Sequence, residues 1–157
     1  AKSYRSDIKV LESYISTFTD VAKGKEAAMA MADQGADVLS HIANQAGTGV
    51  IKAAEGRGLM ATGDSWDQSG IAPKTVVCST IYNVPTLVVN VVKQVKEGTF
   101  QGGIYDQGMM EGVVDIAPYH SFEDQIPQDA KDKVDELKKQ LIEGSFSAPL
   151  IEKRTAE

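Results

Sequence analysis

The chain has 157 residues, of which 42% are hydrophobic and 24% are charged, as in a globular domain with a sizeable core. Its formal net charge of −6 excludes a mainly basic surface, so nucleic acid and anionic membrane are poor partners. The single cysteine, Cys78, excludes an intrachain disulfide. Its apolar neighbours predict a buried thiol. No apolar run is long enough to predict a membrane span, and the first residues do not have the pattern expected of a signal peptide.

The first half of the chain is predicted to alternate between strands and helices. Apolar residues with partial alternation over 8–15 predict a strand. Asp20 then stands where a helix N-cap belongs, before a stretch rich in Ala, Met, Lys and Glu. A helix is therefore predicted over 21–34, with Gly35 as its stop. The next predicted elements are a strand over 38–43, a helix over 50–55 that ends at Gly56 and Gly58, and strands over 59–62 and 75–82.

The second half opens with a helix around Pro85 that continues through Val95 and stops at Gly98. Its valines form helices weakly, so burial against a sheet is expected to hold it. A hairpin is predicted from 104–106 and 113–116. The last helix, over 128–143, presents an apolar stripe and a charged face. The tail after residue 152 is expected to fray.

This order of elements predicts an α/β fold with a mostly parallel, twisted sheet flanked by helices, and an antiparallel edge from the hairpin. In such sheets ligands bind outside the carboxyl ends of the strands. Two polar segments follow predicted strands there, Asn44 to Gly49 and Asp64 to Gln68. The sequence therefore predicts a small-molecule site.

Each polar segment has two interpretations. The glycine turn at 47–49 either aims backbone amides at a ligand or is simply a tight turn into a helix. The segment Asp64 to Gln68 holds two carboxylates, a hydroxyl, an amide and the single tryptophan, Trp66. These groups could hydrogen-bond a base or sugar while the ring stacks on it. The alternative is an exposed polar loop with Trp66 packed on a neighbour.

The sequence offers no catalytic set. Of the two histidines, His41 is expected to be a satisfied core residue and His120 to lie on a surface loop. Neither has metal-ligand spacing, and there is no nucleophile elbow, P-loop or dinucleotide fingerprint. The chain is therefore predicted not to be an enzyme and to need no cofactor or metal.

Several segments together resemble the basic membrane protein family, the solute-binding lipoproteins of ABC importers that are related to purine-nucleoside receptors. The resemblance covers nearly the whole chain. The matching segments are Asp20 to Ala28, Gln34 to Val38, Gly47 to Val50 with Ala53 and Ala54, Asp67 with Gln68, Ala72 to Lys74, and Gly112 to Pro118.

The resemblance implies one lobe of a type I periplasmic-binding-protein fold. Residues 1–126 would form the C-terminal ligand-binding lobe, and 127–157 a helix and tail packing on the lobe or lobes. The N-terminal lobe, signal peptide and lipidated cysteine are expected to be absent, which makes the chain a fragment. The full protein would be lipid-anchored, in the periplasm or on the outer face of the bacterial cell membrane.

The implied function is to bind a small solute, a purine base or nucleoside-like molecule, between two lobes and deliver it to an ABC permease. Nucleoside-binding members carry a ribose-holding aspartate and a lysine where this sequence has Ser65 and Tyr82, so a free base or another small aromatic or polar solute is plausible. The candidate ligand residues are Asn44, Gly47, Asp64, Ser65, Trp66 and Tyr82.

Two other functions stay open at this point. One is a ligand-sensing regulatory module of the same fold, and the other is a doubly wound enzyme that uses a nucleotide. The isolated lobe is expected to bind solute weakly, because one wall of the cleft is missing. It is also expected to self-associate through the open face.

Overall fold

The computed structural model describes residues 5–148, and these contain four α-helices, three short 3-10 helices and one four-stranded sheet. The chain divides into two compact units, one formed by the residues up to Ile81 with Ile116–Glu123, and the other by Tyr82–Asp115 with the residues from Asp124 on. The helices are α1 (Val21–Asp33), α2 (Gly47–Arg57), α3 (Val84–Glu97) and α4 (Gln128–Ile142). The strands are β1 (Val38–Ser40), β2 (Met60–Gly63), β3 (Val76–Tyr82) and β4 (Val114–Ile116).

The strands follow the order β1-β2-β3-β4. β1 is parallel to β2, with Leu39 opposite Ala61, and β2 is parallel to β3 with a register shift inside β2. The predicted mostly parallel sheet flanked by helices is therefore confirmed. The strands over 38–43, 59–62 and 75–82 are all present, the first of them shorter than predicted.

β4 provides an antiparallel edge. The Asn83 amide donates to the Val113 carbonyl at 2.7 Å, and the Ala117 amide donates to the Ser79 carbonyl at 2.8 Å. The residue number rises from Ser79 to Asn83 along β3 while that of its partner falls from Ala117 to Val113, so the two strands are antiparallel. The predicted hairpin is wrong, because residues 104–106 form no strand. The edge is made by β4 alone.

Local capping sets the limits of α1 and α2. The Asp20 carboxylate accepts from the Lys23 amide at 3.0 Å, as the predicted N-cap should. α2 begins three residues earlier than predicted, at Gly47, and runs through Gly56 to Gly58 (φ 65°), which ends it. The sequence misplaced this start because glycine is a weak helix former, whereas here tertiary contact overrides propensity.

The core of the first unit lies between the helices and the sheet. α1 and α2 pack against each other, and small side chains let them approach closely. The buried cluster consists of Ala28, Leu39, Val50, Ile51, Ala53, Ala54, Ala61, Ala72 and Val76. This arrangement fixes the ends of β1, β2 and β3, where polar residues follow.

The predicted strand over 8–15 is wrong. These residues have no strand partner in the described chain. A groove of about 690 Å³ next to β1 is lined by residues that include 7–11 and 34–40. A strand requires a hydrogen-bonded neighbour, and residues 8–15 have none in the part of the chain that the structure describes.

In the second unit, α3 has the predicted limits but not the predicted burial. Asn83 caps it by accepting from the Thr86 amide at 3.1 Å, and Gly98 (φ 71°) ends it. No residue of α3 is buried, and Val88, Val92 and Val95 are all more than half exposed. Its caps and the hydrogen bonds that the Asn90 side-chain amide donates to Gln107 and to the Glu111 carbonyl support it, rather than burial against a sheet. No helix within residues 5–148 is long and apolar enough to cross a bilayer.

Candidate ligand-binding site

A polar network lies at the carboxyl ends of the three parallel strands of the first unit. β1 is followed by His41, and β2 by Asp64 and the loop up to Gln68. β3 contributes Ser79 and Thr80. Because parallel strands end at the same edge of a sheet, residues from different strands and loops that are 11 to 27 positions apart in sequence meet here. This is the edge where the sequence predicts a site.

Asp64 is the anchor of this network. It is only 6% exposed. One carboxylate oxygen accepts from the Thr80 hydroxyl at 2.9 Å, and the other accepts from the Ser65 hydroxyl at 2.8 Å. Each oxygen retains further acceptor capacity. The two hydroxyls therefore orient a carboxylate that can still receive a donor from a ligand.

Two candidate residues have a left-handed backbone. Ser65 has φ 70° and Asn44 has φ 47°. Non-glycine residues adopt this conformation at an energetic cost, and such residues cluster at functional sites. Both lie in the two loops that the sequence singles out, Asn44 four residues after the end of β1 and Ser65 two residues after the end of β2.

Gln68 joins the loop to the strands behind it. It is 2% exposed, and its backbone amide donates to the Ser79 hydroxyl at 3.1 Å. Its side-chain oxygen accepts from the Asp64 amide at 3.0 Å. A Cβ at Gly63 would lie 2.3 Å from the Ser79 hydroxyl oxygen, so only glycine fits there. The sequence prediction omitted Gln68 and Thr80 from the site. Gln68 could have been found, because Asp67 with Gln68 is one of the segments that resemble the family.

Gly47 is buried, and its amide donates to the Asn44 carbonyl within the turn. This amide is therefore already used, and the role of ligand donor that the sequence suggests for it does not fit. Gly47 instead allows a close approach. A Cβ added there would lie 2.0 Å from Nδ1 of His41.

Three candidate side chains are accessible. Trp66 is 55% exposed, so it is not packed away on a neighbour, and Asn44 is exposed. Trp66 lies in the same loop as Asp64 and Ser65. Tyr82 ends β3, belongs to the second unit, and is 45% exposed. The first unit thus brings together the loops that carry Asn44, Gly47, Asp64, Ser65 and Trp66.

His41 is buried and His120 is exposed, as predicted, but the prediction that His41 is satisfied is wrong. His120 lies on an exposed 3-10 turn, and its Nε2 is 2.7 Å from an Asp67 carboxylate oxygen. His41 is buried, but it is not satisfied, because its Nδ1 has no hydrogen-bond partner. It was expected to be a satisfied core residue. The packing of Gly47 against the ring leaves no room for a partner.

Near the site, Asp67 and Cys78 have shifted pKa values. Burial raises the pKa of Asp67, but hydrogen bonds from Ser69 and His120 outweigh it and hold the pKa below its ordinary value. Burial raises the pKa of the Cys78 thiol, which keeps it protonated and unreactive. Cys78 is half-buried rather than fully buried. Among residues 5–148, no group of three or more His, Cys, Asp or Glu side chains could hold a metal.

A family model described as ABC transporter substrate-binding protein PnrA-like matches residues 1–148. The chain belongs to this family. It is 32% identical over 153 residues to basic membrane protein A of Borreliella afzelii, which confirms the resemblance carried by the sequence segments. Members of the PnrA-like family are solute-binding transport proteins, which is not a class of enzymes.

Two further relatives of this PnrA-like chain carry names that state a ligand. It is 34% identical to an ABC transporter nucleoside-binding protein of Lactococcus lactis and 28% identical to a purine-binding protein of Brucella abortus. The matches cover 95% and 96% of this chain but only 46% and 42% of those proteins. The chain spans about half the length of the curated relatives it matches.

Solved structures agree with the fold. A transcriptional activator of the comK gene from Bacillus halodurans superposes with a TM-score of 0.83 at 22% identity, over 92% of this chain and 50% of that one. A solute-binding protein of an ABC transporter system from Aeropyrum pernix gives 0.79 at 24% identity, over 97% of this chain and 50% of that one. At these identities the comparisons establish the architecture alone.

Proposed function

We propose that this chain is one lobe of the solute receptor of an ABC importer and that the solute is a purine base or nucleoside-like molecule bound between two lobes. The observation that carries the proposal is the buried Asp64 carboxylate, oriented by two hydroxyls at the carboxyl ends of the strands. Family membership and the nucleoside- and purine-binding names of relatives support the ligand class. Ligand would favour a closed form by binding it better than the open one.

Each candidate residue has a role in this proposal. Asp64 and Ser65 accept polar hydrogens of the solute, and the Asn44 amide bonds its edge. Trp66 and Tyr82 supply aromatic surface for stacking. Gly47 acts through its close packing rather than through its amide, which is engaged in the turn.

The position of Ser65 bears on ligand choice. The resemblance implies that nucleoside-binding members of the family carry an aspartate where this chain has Ser65 and a lysine where it has Tyr82. A buried site built to hold a sugar hydroxyl discriminates strongly, so replacing its charged partners changes the preferred ligand. We therefore favour a free purine base over a plain nucleoside. Asp64 would be the carboxylate that meets its N–H groups.

The proposed partners follow from the same assignment. They are an N-terminal lobe that completes the cleft and an ABC permease that receives the solute, with the full protein at the outer face of the cell membrane or in the periplasm. Residues 1–126 would form the binding lobe, with 127–157 as a helix and tail packing on the lobe or lobes. The open face would also allow the isolated chain to self-associate.

The proposal is tested by substitution in the two-lobed protein. Trp66→Ala removes a stacking partner and should lower the affinity for adenine or hypoxanthine about tenfold. Asp64→Asn keeps the shape of the side chain but removes its charge. This substitution should lower the purine affinity about tenfold to a hundredfold. Isothermal titration calorimetry measures both.

Matched controls are available in the same lobe. Phe18 is an exposed aromatic residue (66%) and Asp37 an exposed carboxylate, and neither is among the candidates. Phe18→Ala and Asp37→Asn should leave the affinity unchanged. If Trp66→Ala and Asp64→Asn bind purines as tightly as these controls do, the assignment of this site is wrong.

A further inference from the structure

His41 stands between the two loops that carry the proposed ligand residues. It follows β1 directly and is 7% exposed. On one side its Nε2 lies 2.9 Å from the side-chain oxygen of Gln68. On the other side its Nδ1 faces Gly47, where an added Cβ would lie only 2.0 Å away. The ring thus touches the turn that begins α2 and the loop that follows β2.

The hydrogen bonds fix the tautomer of His41. The Gln68 oxygen also accepts from the Asp64 backbone amide at 3.0 Å. If the Gln68 amide nitrogen stood there, it would set a donor against the Asp64 N–H, so the oxygen faces both groups. His41 must therefore donate from Nε2. Its Nδ1 is then an acceptor without a hydrogen-bond partner.

An unpaired buried acceptor is unfavourable, and an apolar side chain of similar size would avoid it. The Nε2–H donor is what such a replacement would lose. That donor acts on Gln68, which in turn bonds the Asp64 amide and the Ser79 hydroxyl. A chain of contacts therefore runs from Gly47 through His41 and Gln68 to Asp64.

We propose that His41 is a positioning residue for the ligand site. It does not touch the solute. It sets the spacing between the loop of Asn44 and Gly47 and the loop of Asp64, Ser65 and Trp66, through its packing on Gly47 and its hydrogen bond to Gln68. This inference rests on the proposed function for its ligand, but its geometry can be tested without one.

The first experiment uses NMR of the 157-residue chain without ligand. A long-range ¹H–¹⁵N spectrum should show His41 as the Nε2–H tautomer. In His41→Leu, the amides of Asp64 and Gln68 should shift and lose protection from exchange. In His41→Gln the side-chain amide nitrogen can replace Nε2 as donor. The amides of Asp64 and Gln68 should then keep their wild-type chemical shifts and their protection from exchange. A Nδ1–H tautomer, or unchanged amides in His41→Leu, would overturn the proposal.

The second experiment measures adenine affinity in the two-lobed protein. His41→Leu should weaken binding about tenfold, and His41→Gln should restore most of the loss. Val50→Ala, which removes volume from the core at a residue 5% exposed, serves as a control for general destabilisation. An equal loss of affinity in Val50→Ala would mean that His41 acts only through stability and would contradict the proposal.

The two experiments separate the two claims. If the wild-type protein binds adenine and His41→Leu binds it equally well, the positioning role fails and the proposed function stands. If the wild-type protein binds no purine, the proposed function fails, and the NMR results alone decide whether His41 holds the loops.

Discussion

At the scale of single residues, the site is organised by buried polar side chains rather than by exposed ones. Asp64, Gln68 and His41 are each at least nine-tenths buried, yet they hold most of the hydrogen bonds at the strand ends. Buried polar groups that are joined by hydrogen bonds rigidify their surroundings, and here only Nδ1 of His41 lacks a partner among the buried polar side-chain atoms of residues 5–148. This network holds the loop of Trp66 in place, so its accessible side chain can contact a ligand in a fixed position.

Asp67, which accepts hydrogen bonds from Ser69 and lies against His120, gives a prediction of pH dependence at this scale. The pKa of Asp67 lies below its ordinary value in the folded chain, so its ionised form stabilises the fold above the unfolded pKa. This contribution should disappear as the pH falls through the folded pKa. Asp67→Asn should therefore lower the free energy of unfolding at pH 6 by less than about 1 kcal/mol, because the pair is partly exposed.

Urea unfolding of both proteins from pH 6 down to about pH 3 measures the effect. The difference between wild type and Asp67→Asn should shrink steadily on acidification. Asp124→Asn, at an exposed carboxylate outside this pair, is the control and should show no such trend. A difference that grows as the pH falls would refute the assignment.

At the scale of elements, α3 stands apart from α1 and α2. Alanines and glycines let α1 and α2 pack closely around the core of the first unit. α3 is rich in valine, which forms helices weakly, and none of its residues is buried. Its caps at Asn83 and Gly98 are present, but its apolar side chains are left in contact with solvent.

This exposure predicts the sign of a stability change. Val92 is 59% exposed, so Val92→Ala should lose little burial and gain helix propensity. The free energy of unfolding should rise by up to about 0.5 kcal/mol. Val50→Ala, in the core, should lower it by about 1 to 3 kcal/mol. Denaturation in urea compares them, and a loss of more than 1 kcal/mol in Val92→Ala would mean that α3 is covered in solution.

At the scale of the whole molecule, the chain spans about half the length of its relatives. Ligand pockets bury most of their ligand, and one lobe supplies one wall. The proposed receptor therefore needs a second wall for tight binding. In the proposed receptor, the surface that faces the second lobe would be available for association between copies when this chain is studied alone.

Two measurements on the 157-residue chain test the need for a second wall and the association between copies. Calorimetry with adenine, hypoxanthine and adenosine should detect weak binding or none, and a Kd in the micromolar range or tighter would contradict the two-lobed proposal. Sedimentation should show association that increases with concentration. A clean monomer at high concentration would argue against an open apolar face.

The sequence by itself determined the α/β class, three parallel strands, all four helices and the edge of the sheet where polar residues gather. These features depend on local patterns, namely apolar runs, helix formers, caps and glycine stops, which act over a few residues. The same local logic located Asp64, Ser65 and Trp66 in one loop. It also indicated the family, through segments spread along the chain.

Only the tertiary structure decided which residues work together. The strand predicted over 8–15 and the hairpin at 104–106 failed because a strand depends on a partner that no local pattern specifies. The start of α2 at Gly47, the burial of Gln68 and the unpaired Nδ1 of His41 depend on contacts across 6 to 27 positions. Such contacts are set by how the sheet brings its strand ends together, and a single sequence does not encode them locally.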